Sequence, residues 1–415
     1  MKALWIQGKG ILLAPFFLIL FVFFVPVSPT LKSVFLIASV ICILLTPDYN
    51  KHLLYAFNTL WGRAAMGLIA FVIIASFWSE APYSMRWMVV EKYIKVIYLP
   101  ILAVGFIHPR VRNLCLNSYL FSIYIICIIS ILKSKGLWFQ GDPGEVFYNH
   151  IITGFMVAFG SYIAGLFVFQ SKGKLQILYL VLFLLTSYQV LFINTGRTGY
   201  VVYFILVTLL ILQQLSFKKA GLALILFSGL MTIVYTQSPI MQAGAANLLH
   251  DIKSMQQNNE NTSLGYRVQF HHYAKTLLAT HPIIGIGTGG FKYSFSKDQP
   301  VPSWGVELNE PHSQYWMTLA EQGIVGLVFL VLFLGSLFIA SFQLTKTKPI
   351  LLGILAAFTI GAFSDTILCY SPVGFLLIIM SAISLGELIE QRVTKKSEET
   401  QLFSVNNLVS AGPIC

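Results

Sequence analysis

Charge is scarce in this chain. Asp, Glu, Lys and Arg make up 10% of its 415 residues, against about 25% in a soluble domain. With 56% hydrophobic residues and a mean hydropathy of +0.76, that deficit excludes a soluble globular protein and a disordered one alike. Cysteine is sparse too. Of the five, Cys42 and Cys127 lie inside apolar runs, Cys115 and Cys369 near run ends, and Cys415 is terminal, with no CxxC pair. A disulfide framework or a zinc site is therefore not expected. There is no P-loop, no HExxH and no DxD in an outer loop, and no acidic cluster is expected to hold a metal. No metal, nucleotide or other cofactor is expected. Internal repeats and low-complexity tracts are missing as well.

What is abundant is long apolar runs. About twelve segments read as membrane spans, at residues 11–27, 34–46, 64–78, 96–107, 114–132, 151–170, 175–193, 200–212, 220–235, 323–342, 350–365 and 371–389. Several fall short of the ~20 residues a full span needs, so they are expected to extend into flanking Tyr, Trp and Lys. The first run resembles a signal peptide, but no small-residue cleavage site follows Val25-Pro26-Val27, so it reads as a retained span. The net charge of +11 resembles a nucleic-acid signal, yet the basic residues sit mostly in short loops. Orientation in a membrane explains them better, and no nucleic-acid partner is expected. With both termini inside, the inner segments hold 15 of the 27 basic residues over about 77 residues, and the outer ones hold 12 over about 139, as the positive-inside rule requires. The expected architecture is all-α and polytopic: spans 1–9 in residues 1–235, a long outer loop with short helices at 236–322, spans 10–12 in 323–389, and a loose polar inner tail at 390–415. In a bacterium this places the termini in the cytoplasm and the long loop in the periplasm, at the inner membrane.

Polar chemistry gathers at a few points. Asn194-Thr-Gly-Arg-Thr-Gly199 joins two runs through a turn, placing Arg197 at the outer face. A guanidinium flanked by Gly, Thr and free backbone N–H groups suits a phosphate, although a snorkelling arginine is the plainer reading. In the long loop, Ser263 is a candidate cap for a helix to about Thr280. Arg267 and His271 would share a face of it, with His272 beside them. The stretch 282–311 reads as irregular. Its Gly285, Gly287 and Gly290 spell GxGxxG, but a dinucleotide fingerprint needs a preceding strand, so a tight bend is expected instead. Glu310-Pro-His312 precedes a helix start, putting an imidazole, the side chain suited to take a proton near neutral pH, where the loop re-enters the membrane. Arg86, His150 and Tyr315 are further substrate-binding candidates. Asp365 and Glu387 border spans, where a structural role is the simpler reading.

The order of these elements resembles the O-antigen ligase superfamily, which includes O-antigen polymerases and bacterial O-oligosaccharyltransferases. The match covers residues 180–345: an Arg in a short turn between spans, an Arg at a loop-helix start, His281-Pro-x-x-Gly-x-Gly, and His312 before Leu319-x-Glu-x-Gly-x-x-Gly. The family often has Asn after the last His, where this chain has Ser313. The resemblance implies a metal-independent glycosyltransferase using an undecaprenyl-diphosphate-linked glycan as donor. Arg197 and Arg267 would bind the diphosphate and His312 would be the general base. A growing anion stabilised by two guanidinium groups needs no metal. The absence of a large C-terminal extension favours the ligase, with lipid A–core as acceptor, over a polymerase or a protein-glycosylating enzyme. A transporter is the rival from another class, disfavoured by span interiors nearly free of charge.

Overall fold

The computed structural model describes residues 9–137, 140–305 and 307–410. Eighteen α-helices and no strand are found among them. The first half runs α1 (Lys9–Phe24), α2 (Pro29–Leu45), α3 (Pro47–Asn50), α4 (Leu53–Asn58), α5 (Leu60–Ala75), α6 (Tyr83–Ile94), α7 (Tyr98–Gly105), α8 (Pro109–Ser134) and α9 (His150–Gln170). The second runs α10 (Lys174–Phe192), α11 (Arg197–Gln214), α12 (Phe217–Gln237), α13 (Pro239–Gln256), α14 (Ser263–Thr280), α15 (Gly290–Asp298), α16 (Gln314–Ser341), α17 (Lys348–Ser364) and α18 (Ser371–Ser410).

Each apolar segment of the sequence falls on one helix. Seven, namely α8 to α12, α16 and α18 as far as Lys395, are long and apolar enough to cross a membrane. An eighth span forms if α2 and the Pro47–Asn58 segment, bent by 82°, count as one; shorter apolar helices lie at Leu13–Phe24, Leu60–Ala75 and Lys348–Ser364. The chain is thus an all-α polytopic membrane protein. The segment at 96–107 gains length as expected, since a 3-10 turn at Lys95–Ile97 joins α6 to α7. Helices α18 and α9 are central, with 94% and 89% of their apolar windows buried, whereas α12 has 6% and lies outermost.

The long loop is more ordered than its sequence suggests. The expected helix at 263–280 is α14, but its cap is Thr262, whose side chain accepts from Gly265 N at 3.2 Å. Helix α13 was not anticipated, although Ser238 caps it and Pro239 opens it, the usual signature of a helix start. The irregular stretch at 282–311 contains α15, entered through Gly289 at φ 81°. Phe291 N at the start of α15 donates to Glu321 Oε1 at 3.2 Å, so a carboxylate from α16 caps this helix. The tail expected to be loose after Arg392 remains helical to Ser410; its Lys, Glu and Gln residues are good helix formers.

The glycine motif has a mechanical role. Helix α16 is interrupted at Gly323, whose φ of 66° and ψ of −162° are non-helical. The segment after α14 fills the gap. Ile324 N and Val325 N donate to Pro282 O and Ile283 O at 3.0 and 3.1 Å, while Ile286 N and Gly287 N donate to Ala320 O and Glu321 O at 3.0 and 2.8 Å. The backbones touch so closely that a Cβ on Gly323 would meet Ile283 O at 2.4 Å, and one on Gly285 would meet Glu321 C at 2.4 Å. The predicted tight bend is therefore a seam between the loop and α16.

Candidate functional site

Arg197 is the first residue of α11. The turn before it is locked: Asn194 Nδ2 donates to His150 O at 3.0 Å, Asn194 Oδ1 accepts from Gly196 N at 2.7 Å, and the Tyr200 hydroxyl donates to Asn194 O. Arg267 lies in the early part of α14. Both guanidinium groups thus stand near helix N-termini, where unpaired N–H groups and the helix dipole favour an anion.

His312 sits just before Ser313, the N-cap of α16. The Ser313 side chain accepts from Trp316 N at 3.4 Å and donates to Ala362 O at 3.3 Å. Ser is a favourable cap residue, and Ser313 fills that role. His312 itself has φ +52°, a left-handed conformation costing roughly 1–2 kcal/mol. Its ring faces a carboxylate the sequence reading set aside.

That carboxylate is Asp365, fully buried at the C-terminal end of α17. A negative charge there opposes the helix dipole and needs partners. Thr198 Oγ1 donates to Asp365 Oδ2 at 3.1 Å, and Ser364 Oγ does so at 3.4 Å. On the other oxygen, Oδ1, Arg267 Nη2 and His312 Nδ1 converge at 3.6 and 3.5 Å. Both approaches are longer than good hydrogen bonds, and Asp365 Oδ1 and His312 Nδ1 are buried without a hydrogen-bond partner. Phe270 covers His312, ring centroids 6.0 Å apart.

Arg197 and Arg267 meet around two cavities. One, about 350 Å³, is polar and bordered by His150, Thr195, Asn247 and Asp251 as well as the two arginines. The other, about 340 Å³, shares Arg197, Thr198 and Arg267 but is otherwise walled by Val201, Val202, Leu248, Ile360 and Phe363. Phe363 and Val201 are 63% and 48% exposed, so this groove opens sideways on the apolar flank. Arg197 itself is paired with Asp251 at 3.5 Å and donates to Ser263 Oγ at 3.1 Å.

The remaining candidates divide. His150 lines the polar cavity. Arg86 does not line either cavity; it donates to Ser76 O at 2.9 Å and packs behind Gly289. Tyr315 donates to Thr359 O at 2.9 Å, with its ring 4.7 Å from Phe363, which places it behind the groove wall. His271 Nε2 lies 3.5 Å from His312 O. Burial, reinforced by the charges of Arg267 and His312, holds its pKa below the usual histidine value, while His272 is exposed. Glu310, two residues before His312, is buried with one oxygen unpartnered, and burial raises its pKa. Against the expectation of no acidic cluster able to hold a metal, Asp142, Glu145 and His150, close together in sequence, offer ligand atoms within 4.8 Å of one another. His150 Nδ1 is paired there with Glu145 at 3.1 Å, and Thr195 donates to Asp142 at 2.8 Å. Glu387, the other span-border acid, accepts from the backbone of Thr345, Lys346 and Thr347 at 3.0, 3.0 and 2.8 Å, so it caps the entry to α17.

Fold and site together define a polytopic helical membrane protein in which Arg197 and Arg267 share a polar cavity and an apolar groove, and Arg267 and His312 converge on the buried Asp365. Residues 180–331 match the family described as O-Antigen ligase. The matched segment spans Arg197, Asp251, Arg267 and His312, and is similar to the O-antigen ligase superfamily over that stretch. No curated protein matches the chain.

Proposed function

We propose that this protein is an O-antigen ligase, a glycosyltransferase of the bacterial inner membrane. It moves O-antigen glycan en bloc from undecaprenyl diphosphate to a sugar hydroxyl of lipid A–core at the periplasmic face. On this reading about twelve spans cross the membrane with both termini in the cytoplasm, and 236–322 is the periplasmic loop. The observation that carries the reading is the convergence of Arg267 and His312 on one oxygen of Asp365, beside two cavities shared by Arg197 and Arg267.

The chemistry follows from those positions. The polyprenyl chain lies in the apolar groove, and its diphosphate is gripped by Arg197 and Arg267. The acceptor hydroxyl oxygen attacks the anomeric carbon. The bond from that carbon to the diphosphate oxygen breaks, and its electron pair stays with the diphosphate. Charge growing on that leaving group is stabilised by the two guanidinium groups, so no general acid is required. The hydroxyl proton passes to His312. With Nδ1 turned to Asp365, Nε2 is the nitrogen left to accept it, and the carboxylate favours that tautomer and the imidazolium that forms. A single displacement inverts the anomeric centre; retained configuration in the product, read by NMR, would refute it.

Gel analysis of lipopolysaccharide from a strain lacking the gene tests the function. Loss of the whole O-antigen ladder, with glycan accumulating on its lipid carrier, is expected for the ligase. A single capped repeat would indicate a polymerase, and an intact ladder would remove both.

A further inference from the structure

One carboxylate in the polar cavity takes no part in the chemistry above. Asp251 stands on α13, buried, and lines the cavity. Its Oδ2 accepts from Leu264 N at 3.3 Å and lies 3.5 Å from Arg197 Nη1. Arg197 Nη2 in turn donates to Ser263 Oγ at 3.1 Å. Asp251 and Ser263 thus tie the guanidinium at the start of α11 to the first turn of α14. Arg267 lies four residues after Ser263, on the same face of that helix. Two guanidinium groups sharing one cavity repel each other, and a carboxylate beside each offsets the repulsion: Asp251 for Arg197 and Asp365 for Arg267. Asp251 has a second effect. An arginine held in place before the ligand arrives loses less side-chain freedom on binding.

We infer that Asp251 is a positioning residue for diphosphate binding: it fixes the Arg197 guanidinium against α14 and so sets its separation from Arg267. The inference rests on the proposed assignment of both arginines to the donor diphosphate. Asp251 touches no substrate; it acts through Arg197.

The test is a double-mutant cycle read by binding. Farnesyl diphosphate, a soluble short-chain probe, is titrated into the purified full-length protein in detergent, as wild type, Asp251→Asn, Arg197→Ala and the double variant. Asn is nearly isosteric with Asp and keeps an oxygen to accept from Leu264 N. Asp251→Asn should weaken binding about tenfold, and the double variant should bind no more weakly than Arg197→Ala alone. Binding by Asp251→Asn as tight as wild type or tighter overturns the inference, as do losses that multiply in the double variant. Wild-type binding by Arg197→Ala is a separate result. It overturns the diphosphate assignment itself, and this inference with it. Should Asp251→Asn fail to accumulate, Asp251→Ser, which also removes the charge and keeps a polar oxygen, is read in the same cycle with the same criteria.

Discussion

Replacing Asp365 with Asn separates charge from shape at the centre of the site. The amide fills the same volume and can still pair with Thr198 and Ser364, which lie 3.1 and 3.4 Å from Oδ2. What disappears is the negative charge 3.5 Å from His312 Nδ1. If His312 becomes an imidazolium as it takes the acceptor proton, that charge is worth about 5 kcal/mol at an effective dielectric of ~20. His312 is 25% exposed, so solvent screening brings the loss to roughly 3 kcal/mol. At about 1.4 kcal/mol per decade, kcat should fall about 100-fold. KM for the donor should rise less, by about tenfold at most, because Arg267 loses its paired charge while Arg197 keeps Asp251. The assay is glycan transfer from a lipid-linked donor to lipid A–core in proteoliposomes, with the melting temperature checked in parallel. A properly folded Asp365→Asn protein with kcat within threefold of wild type would refute the role assigned to this carboxylate.

Other substitutions probe the remaining parts. His312→Ala should lower transfer by about 10²–10⁴-fold while leaving farnesyl diphosphate binding intact; equal loss of binding would point to a structural role instead. Gly323→Ala forces a Cβ to within 2.4 Å of Ile283 O in a backbone conformation open mainly to glycine. It should cost at least about 3 kcal/mol and abolish accumulation in membranes, and a melting temperature within a few degrees of wild type would contradict the seam. Because the folded-state pKa of His271 is lowered by burial, its contribution to stability is present above about pH 6.5 and is lost as pH falls through the lowered value. His271→Gln should therefore flatten the acid-side loss of thermal stability, and an unchanged slope would show that some other group titrates there.

Much of the fold was legible because composition and hydropathy mark apolar helices directly, and the site's outline was legible where local chemistry is distinctive. Arg197 follows a Gly-containing turn, Arg267 opens a capped helix and His312 follows a proline. Asp365 and Glu387 show the limit. Both are acids at the edge of a span, and nothing in their neighbours tells them apart. Glu387 takes three backbone N–H groups, whereas Asp365 takes partners from α11, α14 and the start of α16. Helix α13 escaped notice although Met241, Ala245, Leu248 and Ile252 recur at helical spacing, and Asp251 was not singled out. The bend at Gly285 was foreseen, but its partner, the break at Gly323, depends on a neighbouring chain segment that spacing does not reveal.

The seam at Gly323 also constrains how such proteins can be recombined. Segment 282–287 exchanges backbone hydrogen bonds with both halves of α16, so the long loop is stitched into the membrane-spanning portion rather than hinged upon it. A chimera that swaps the loop alone would cut this stitching and leave donors and acceptors orphaned at mid-helix. A graft that keeps its function must carry the first turns of α16 past Val325 together with the loop, as one inherited piece.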